Sequence, residues 1–298
     1  MSVDPVFIGI AGDSGAGKST FVRDIAALLG RDKVRTVSFD DYHSLDRVER
    51  KAVGITPLHP RANNLGLAIE HLFLLKQGKK VLKPVYDHST GSFGDPEWVV
   101  PMPYIICEGL HPFFFKSLAE LYDMKVFYDT DLELKFNWKV KRDTAERGYS
   151  VEQVAKEIRL RQRDIRNFVE PQCALADIII KLKVSKNSSS AIGVDWKEPV
   201  DDPWIKRYLK SCNFDNWQCF TEWYAGRKMN VFGVYSDLIQ DQLKDMGSIF
   251  SIRQDVLSKI KEKEVVPYRT MLVLFAARIK QIRAFKDKDG EVVFKDAV

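Results

Sequence analysis

The stretch GDSGAGKST, residues 12–20, constrains the fold more than any other part of the sequence. It matches the pattern G-x-x-x-x-G-K-[ST], and it lies between a short apolar run, Val6–Ile10, and a segment with helical periodicity, Phe21–Leu29. A strand that leads through such a loop into a helix surrounds a bound phosphate with backbone N–H groups and with the helix N-terminus. A chance glycine-rich turn is the alternative, and the strand and helix on either side disfavour it. The sequence therefore predicts a nucleoside-triphosphate site.

Two side chains of this loop are expected to act on the nucleotide directly. Lys18 would bridge the β- and γ-phosphates of ATP, and the hydroxyl of Ser19 would ligate Mg²⁺. The predicted nucleotide-binding residues are Gly12, Asp13, Ser14, Gly15, Ala16, Gly17, Lys18, Ser19 and Thr20. ATP and Mg²⁺ are therefore the expected cofactors.

Apolar runs alternate with helical patterns over the first two thirds of the chain. Further strands are predicted at Val34–Phe39, Tyr104–Cys107, Lys125–Tyr128 and Ile178–Leu182, and helices near 65–76, 113–122, 131–147 and 150–164. This alternation is typical of an α/β fold in which a parallel sheet is flanked by helices on both faces.

The composition changes at KVSKNSSSAIG, residues 183–193, which predicts a linker or an exposed loop. We therefore expect a P-loop core in residues 1–184 and a smaller C-terminal extension in residues 185–298. The extension is rich in aromatic residues around 196–235, has a helical pattern from about 238 to 260, and contains a segment with an apolar centre at 264–285.

Bulk properties narrow the class of protein and its surroundings. No apolar run among the 298 residues reaches the roughly 18–20 residues that a membrane helix needs, and the first residues carry an acid and a proline rather than the basic residues of a signal peptide. A cytoplasmic protein without membrane contact is therefore expected. The net charge of +5 suits anionic ligands but is too small to indicate a nucleic-acid partner. The four cysteines show no metal-binding spacing and are expected to be reduced thiols.

Carboxylates follow two of the predicted strands. Asp40 and Asp41 come after the second strand, and Glu108 ends the third. Because ligands collect at the carboxyl ends of parallel strands, these side chains are expected to face the nucleotide loop. Asp40 could orient an acceptor hydroxyl and take its proton, while Glu108 could complete the Mg²⁺ site, although an acid at a strand end can also simply face solvent.

A row of basic residues follows Asp40. His43, Arg47 and Lys51 are spaced by four, so they would share one face if the segment is helical and could clamp an anion such as a phosphate. Other charged residues are interleaved with this row: Asp46, Glu49 and Arg50. A solvated charged turn is therefore the alternative, and the segment alone does not decide between the two.

A second charged group occupies KFNWKVKRDTAERG, residues 135–148. One helical face of this segment would carry Lys139, Arg142, Asp143, Glu146 and Arg147. It is either a surface helix with ion pairs or a source of cations for a transferring phosphoryl group and of a carboxylate for the metal. Further along, Arg159, Arg163 and Arg166 would share a face. These arginines suit a lid over ATP better than a nucleic-acid surface, because no stacking aromatics are interleaved with them.

Taken together, these segments resemble the phosphoribulokinases. The resemblance covers about residues 5–184 and lies in the loop at 12–20 and in FDDYHSLDRVERK, PRAN (60–63), KPVYDHSTG (83–91), IICEGLHP (105–112), KVKRDTAERG (139–148) and EPQCALADIII (170–180). It implies a P-loop kinase fold, a homodimer, and the ATP-dependent phosphorylation of ribulose 5-phosphate at its 1-hydroxyl to give ribulose 1,5-bisphosphate.

The resemblance also implies roles for individual positions. Asp40 would be the general base, and the other catalytic residues would be Lys18, Lys139, Arg142 and Arg147. The sugar phosphate would be bound by His43, Arg47 and Lys51, and the acceptor pocket would be lined by Arg61, Asn63, Tyr86 and His88. The metal would be held by Ser19, Glu108 and Asp143.

Three alternatives remain beside this interpretation. Uridine kinases are similar in the loop, in the Asp after the second strand and in the RDTxERG helix, but they typically show Y-D-F-x-x-H-x-R where this chain reads YDHSTGSFG without arginine. A non-catalytic nucleotide switch would need neither Asp40 nor the basic row, and a nucleic-acid-dependent ATPase would need a nucleic-acid surface.

Ala16 and Ser38 stand where chloroplast-type phosphoribulokinases carry regulatory cysteines. The resemblance therefore implies a shorter branch without that thiol control, such as an archaeal type.

Overall fold

The computed structural model describes residues 4–184, 192–201, 204–205, 218–234 and 266–287. The chain forms two compact units, which are described separately below. The first combines Met1–Ser19 with Arg35–Ala176, and the second combines Thr20–Val34 with Asp177–Val298.

The described strands and helices are as follows. The strands are β1 (Val6–Ala11), β2 (Val34–Ser38), β3 (Val81–Asp87), β4 (Ser92–Val99), β5 (Tyr104–Gly109), β6 (Met124–Thr130), β7 (Ile178–Val184), β8 (Ile192–Pro199), β9 (Gln218–Tyr224) and β10 (Arg227–Val234). The α-helices are α1 (Lys18–Leu29), α2 (Arg47–Ala52), α3 (Leu65–Lys76), α4 (Lys116–Ala119), α5 (Leu132–Arg147), α6 (Val151–Asp164) and α7 (Val266–Lys286). Short 3-10 segments lie at Phe39–Tyr42, Pro60–Ala62 and Glu170–Leu175, and a π-helical turn at Ile165–Val169.

The central sheet of the first unit has the strand order β2–β5–β1–β6. Strand β1 pairs in parallel with both β5 and β6, and every one of its residues is buried. Strands buried on both faces read as continuous apolar runs, which explains why their sequences predict them well. Because the carboxyl ends of parallel strands meet at one edge, the loop after β1 lies beside the end of β5, where Ile10 is opposite Glu108.

The predicted α/β fold with a mostly parallel sheet is confirmed, and the strands predicted within it lie within two residues of the observed bounds. The helix expected near 113–122 is reduced to α4, whose first turn has no side-chain cap. The hairpin of β3 and β4 is absent from the sequence-based prediction. Its strand β4 contains Gly, Asp and Pro and is exposed over most of its length, so the residues that normally predict a strand are missing.

In the second unit, strands β7, β8, β10 and β9 form an antiparallel arrangement in that order. Helix α7 covers most of the segment noted at 264–285 and ends one residue beyond it, and the helical pattern from about 238 to 260 lies outside the described residues. The core is aromatic: the Phe275 ring of α7 is 4.9 Å from Phe21 of α1 and 6.3 Å from Trp196 of β8, measured between ring centroids. Among the helices in the described ranges, none is long and apolar enough to cross a membrane.

Candidate active site

The lysine of the GDSGAGKST loop lies inside the curve that the loop makes. Its Nζ donates hydrogen bonds of 2.9 Å to the backbone carbonyls of Gly12 and Asp13, and the side chain is almost fully buried. Helix α1 begins at Lys18 itself, so the first N–H groups of the helix point toward the same concave side. The arrangement concentrates positive charge where the sequence predicts the phosphates of a nucleotide.

Close packing explains two features of this loop. A Cβ atom placed on Gly12 would lie 2.2 Å from the backbone oxygen of Tyr128, and Gly17 has a φ of +97°, which favours glycine. The hydroxyl of Thr130 donates to the Ala16 carbonyl at 2.7 Å. Strand β6 therefore holds the loop in place through Tyr128 and Thr130.

Helix α5 contacts the loop through a lysine that sequence reasoning did not select. Lys135 Nζ lies 3.1 Å from Oδ2 of Asp13, and both side chains are largely buried. The Asp13 carboxylate also accepts from the backbone N–H of Ser14 at 2.6 Å. Lys135 is four residues before Lys139, so the helical spacing that indicated Lys139 also places Lys135 on that face.

The Ser19 hydroxyl and the Glu108 carboxylate lie together beside the loop. Ser19 Oγ donates to Glu108 Oε1 at 3.2 Å. Burial raises the pKa of Glu108, and the positive charge of Lys18 opposes that rise. In the described residues there is no group of three or more His, Cys, Asp or Glu that could hold a metal. Mg²⁺ nevertheless fits here, because it prefers hard oxygen ligands and is usually bound by one or two protein groups together with substrate phosphates and water.

Asp40 lies in the short 3-10 segment that follows β2, where the Ser38 hydroxyl accepts from the Asp40 N–H. Its carboxylate lies 3.4 Å from His88 Nε2, measured from Oδ2. Burial alone would raise the pKa of Asp40, but the hydrogen bond with His88 and the charges of His43 and Lys18 outweigh burial and hold that pKa well below its usual range. Asp40 is therefore ionised at neutral pH and lies within the field of the loop lysine.

The basic row after Asp40 is not one continuous helix. The 3-10 segment ends at Tyr42, and α2 starts only at Arg47, because Asp46 caps it and forms a capping box with Glu49. His43 lies between the two and points elsewhere: its Nδ1 is 2.7 Å from the Asn63 Oδ1, and it is buried. His43, Arg47 and Lys51 therefore do not form a helical stripe.

Contacts bring several of the predicted substrate-binding residues together. The ring of Tyr86 packs edge-on against His43 at 4.6 Å and against His88 at 5.2 Å between centroids. A guanidinium nitrogen of Arg47 donates to the His88 carbonyl at 2.6 Å. Asn63 joins the group through its bond to His43.

Two further predicted residues lie outside that group of contacts. The side chains of Lys51 and Arg61 are exposed. The carbonyl of Arg61 accepts from the Ser44 hydroxyl at 3.1 Å, which ties the Pro60–Ala62 turn to the chain after Asp40.

Helix α5 carries the predicted phosphoryl-binding cations. Lys139 is buried, and its burial, together with the charge of Arg161, lowers the pKa of Lys139 to about 8. Arg142 Nε donates to the Asp143 Oδ1 at 2.8 Å, so this carboxylate, which the sequence assigned to the metal, is engaged with its neighbour. The Arg147 side chain lies outside the part of the chain that the structure describes.

A cavity of about 280 Å³ opens between the loop and helices α5 and α6. Its polar lining includes Asp13, Lys135, Lys139, Arg159 and Arg161. Of the arginines predicted to form a lid, Arg159 lines this cavity, whereas Arg163 and Arg166 are exposed. Arg161 was missed by sequence reasoning because it is not on the face shared by the other three.

Comparisons with known proteins agree with this arrangement. The sequence matches the family model described as "Phosphoribulokinase / Uridine kinase family" over residues 7–189. A phosphoribulokinase from Synechocystis sp. is 46% identical over 177 residues, which are 59% of this chain and 53% of that protein. A uridine kinase from Chloroflexus aurantiacus is 34% identical over 185 residues, which are 60% of this chain and 88% of that protein.

The fold is shared with a solved structure of a phosphoribulokinase from Rhodobacter spheroides. The TM-score is 0.62 at 17% sequence identity, and the match covers 95% of this chain and 100% of that chain. The matched region spans about half the length of the phosphoribulokinases found by sequence.

Proposed function

Because the chain belongs to the phosphoribulokinase/uridine kinase family, we propose that it phosphorylates D-ribulose 5-phosphate at the 1-hydroxyl, with ATP and Mg²⁺, to give ribulose 1,5-bisphosphate and ADP. One observation carries this proposal: the Asp40 carboxylate follows the end of β2, lies 3.4 Å from His88 Nε2, and is close enough to the loop to feel the charge of Lys18. A base beside a phosphate-binding lysine is the arrangement that phosphoryl transfer to a hydroxyl requires.

Asp40 acts as the general base. It accepts the proton of the 1-hydroxyl while that oxygen attacks the γ-phosphorus of ATP, and the bond between the γ-phosphorus and the bridging oxygen of ADP breaks. The contact with His88 orients the carboxylate. An aspartate is ionised at neutral pH, and the hydrogen bond with His88 and the nearby positive charges favour this form of Asp40, which accepts a hydrogen bond from the substrate hydroxyl.

Cations stabilise the negative charge on the transferring group. Lys18 comes from the loop, and Lys139, Arg142 and Arg147 come from α5. Ser19 and Glu108, and in the proposed assignment Asp143, would hold Mg²⁺, which supplies charge neutralisation at the β- and γ-phosphates.

The phosphate already present on the acceptor is bound by the basic residues near Asp40. A guanidinium has five N–H donors, and the bond from Arg47 to the His88 carbonyl orients the group while using one of them. The proposed acceptor-binding residues are His43, Arg47, Lys51, Arg61, Asn63, Tyr86 and His88.

A nucleoside kinase is the second candidate, because a uridine kinase matches the same part of the chain and is covered over 88% of its length. The sequence YDHSTGSFG disfavours this candidate, since it lacks the arginine that such pockets typically carry. A non-catalytic nucleotide switch would not require the contact between Asp40 and His88.

We further propose that the protein is a homodimer and that its substrate is a small molecule.

A coupled assay of ADP release separates these functions. The panel contains ribulose 5-phosphate, other pentose phosphates, free pentoses and nucleosides, each with and without Mg²⁺. We expect turnover with ribulose 5-phosphate that requires Mg²⁺. Turnover with uridine but not with the sugar phosphate would replace the proposal by a nucleoside kinase, and nucleotide binding without any acceptor-dependent turnover would replace it by a switch.

A further inference from the structure

The second carboxylate after β2, that of Asp41, contacts strand β3. Asp40 and Asp41 are consecutive in a 3-10 segment, where neighbouring side chains differ in direction by about a third of a turn. One oxygen of Asp41 contacts Lys83 Nζ, and the other accepts from the Tyr86 N–H at 3.0 Å. Both partners belong to β3, so Asp41 attaches the hairpin to the segment that carries Asp40.

Lys83 is an unusual partner because its side chain is only 3% exposed. A buried ammonium is costly unless it is paired, and Asp41 is the more buried of its two acidic neighbours, at 17% exposed. The other, Glu97, lies 3.1 Å away on β4 but is 60% exposed, so water screens it. The pair of Asp41 and Lys83 is therefore the contact that compensates this buried charge.

The bond to Tyr86 acts at a point where the hairpin is irregular. The register of β3 against β4 shifts between Lys83 and Val85, so the strand is bent just before Tyr86. The Tyr86 ring is buried and contacts the rings of His43 and His88. A carboxylate that holds the Tyr86 backbone therefore also sets where these two histidines lie.

We propose that Asp41 is a positioning residue for the acceptor site. Through Lys83 and the Tyr86 amide it fixes the end of β3, and it thereby holds His88 against Asp40. The identity of the acceptor, a phosphorylated sugar with a free hydroxyl, rests on the proposed function. That Asp41 holds the end of β3, and through it His88, does not depend on which acceptor is used.

Three variants and one matched control test this role. Asp41→Asn keeps an oxygen for the Tyr86 N–H but removes the charge opposite Lys83. Lys83→Met removes the ammonium, and the double variant removes both charges. The control is Asp95→Asn, which neutralises an exposed carboxylate on β4 of the same hairpin.

We expect Asp41→Asn to lower kcat/KM for ribulose 5-phosphate by roughly 10- to 100-fold, because a displacement of about 1 Å is enough for such a loss. The KM for ATP should stay within about twofold, since the side-chain bonds of Asp41 run to Lys83 and Tyr86 of β3 rather than to the nucleotide loop. The double variant should recover part of the loss, because it no longer buries an unpaired charge. The control should behave as wild type.

Several results would overturn the inference. Equal losses for ATP and acceptor would indicate general damage, and a double variant that recovers none of the loss of Asp41→Asn would indicate a chemical role for the carboxylate rather than a positioning role. If Asp41→Asn does not fold, Lys83→Met must show the same selective loss for the acceptor, and no selectivity there refutes the role.

A readout without turnover keeps this test separate from the proposed function. The chain has five histidines, so the ring NMR signals of His88 can be assigned by substitution. These signals should move in Asp41→Asn and stay in place in Asp95→Asn, whether or not the wild type accepts ribulose 5-phosphate. Unmoved His88 signals would refute the positioning role, whereas an inactive wild type would refute only the proposed function.

Discussion

His88 Nε2 lies 3.4 Å from Asp40 Oδ2, and neither side chain is closed off from solvent: His88 is 49% exposed and Asp40 is 34% exposed. The two residues come from different elements, the turn after β3 and the 3-10 segment after β2. The carboxylate is therefore open to an approaching hydroxyl group, as the proposed reaction requires, while the imidazole contacts one of its oxygens.

Replacing Asp40, the proposed general base, should strongly lower turnover without affecting nucleotide binding. We expect Asp40→Asn to lower kcat on the order of 10²- to 10⁴-fold, which is the usual contribution of general acid–base catalysis. Calorimetry should show an ATP affinity close to wild type, because Lys18 keeps its bonds within the loop. Undiminished turnover in Asp40→Asn would show that another group takes the proton.

The contact between Ser19 and Glu108 predicts a change in the metal requirement. Glu108→Gln keeps the size of the side chain but removes its charge, so the Mg²⁺ concentration that gives half-maximal rate should rise about tenfold or more. Titration of the rate with free Mg²⁺ at saturating ATP measures this shift. Glu97→Gln, which changes an exposed glutamate on β4, is the control and should leave the Mg²⁺ curve in place.

Lys139 predicts an alkaline limb in the pH profile. Its burial lowers the pKa of the ammonium to about 8, so the cationic fraction of Lys139 falls as the pH rises through that value. The cation is the form that binds a phosphoryl group, and kcat/KM for ATP should therefore decrease above about pH 8. In Lys139→Arg the guanidinium stays charged, so the decrease should move to higher pH. An unchanged alkaline limb in that variant would assign the titration to another group.

Local sequence signals predicted the parts of the site that depend on local structure. The loop at 12–20 and the buried strands are such parts, and so is α3, whose cap Asn64 and apolar pattern delimit it. The break before α2 could also have been predicted, because Asp46 and Glu49 form a capping box. That signal separates His43 from the helix that Arg47 begins.

Other features depend on tertiary contacts between distant residues. Asp41 faces Lys83 across 42 positions of the chain, and a pattern of adjacent acids does not show which of them reaches the hairpin. Strand β4 is exposed, so it lacks the apolar alternation that would have predicted it. The cavity residue Arg161 shows its role only through the packing of α6 beside α5.

The turn at Gly91 packs closely against Arg47, which is one of the proposed acceptor-binding residues. The φ of Gly91 is +80°, and a Cβ atom there would lie 2.6 Å from the guanidinium carbon of Arg47. Gly91→Ala should therefore displace Arg47 and raise the KM for the phosphorylated acceptor by about tenfold, besides costing about 1–3 kcal/mol for backbone strain. Gly78→Ala is a matched control: its φ is +76° and its Cβ would meet nothing within 4 Å. Similar acceptor KM values in both variants would show that Arg47 is not set by this contact.

The aromatic core of the second unit predicts that removing a buried ring from it lowers the free energy of unfolding far more than removing an exposed ring from the same helix. Phe275 is completely buried, and its ring contacts those of Phe21 and Trp196. Phe275→Ala should lower the free energy of unfolding by about 3–5 kcal/mol, because it removes buried apolar area and leaves a cavity. Phe285→Ala, on the same helix but with the side chain 50% exposed, should cost less than about 1 kcal/mol. Urea unfolding followed by circular dichroism measures both, and equal costs would mean that α7 does not pack through Phe275 in solution.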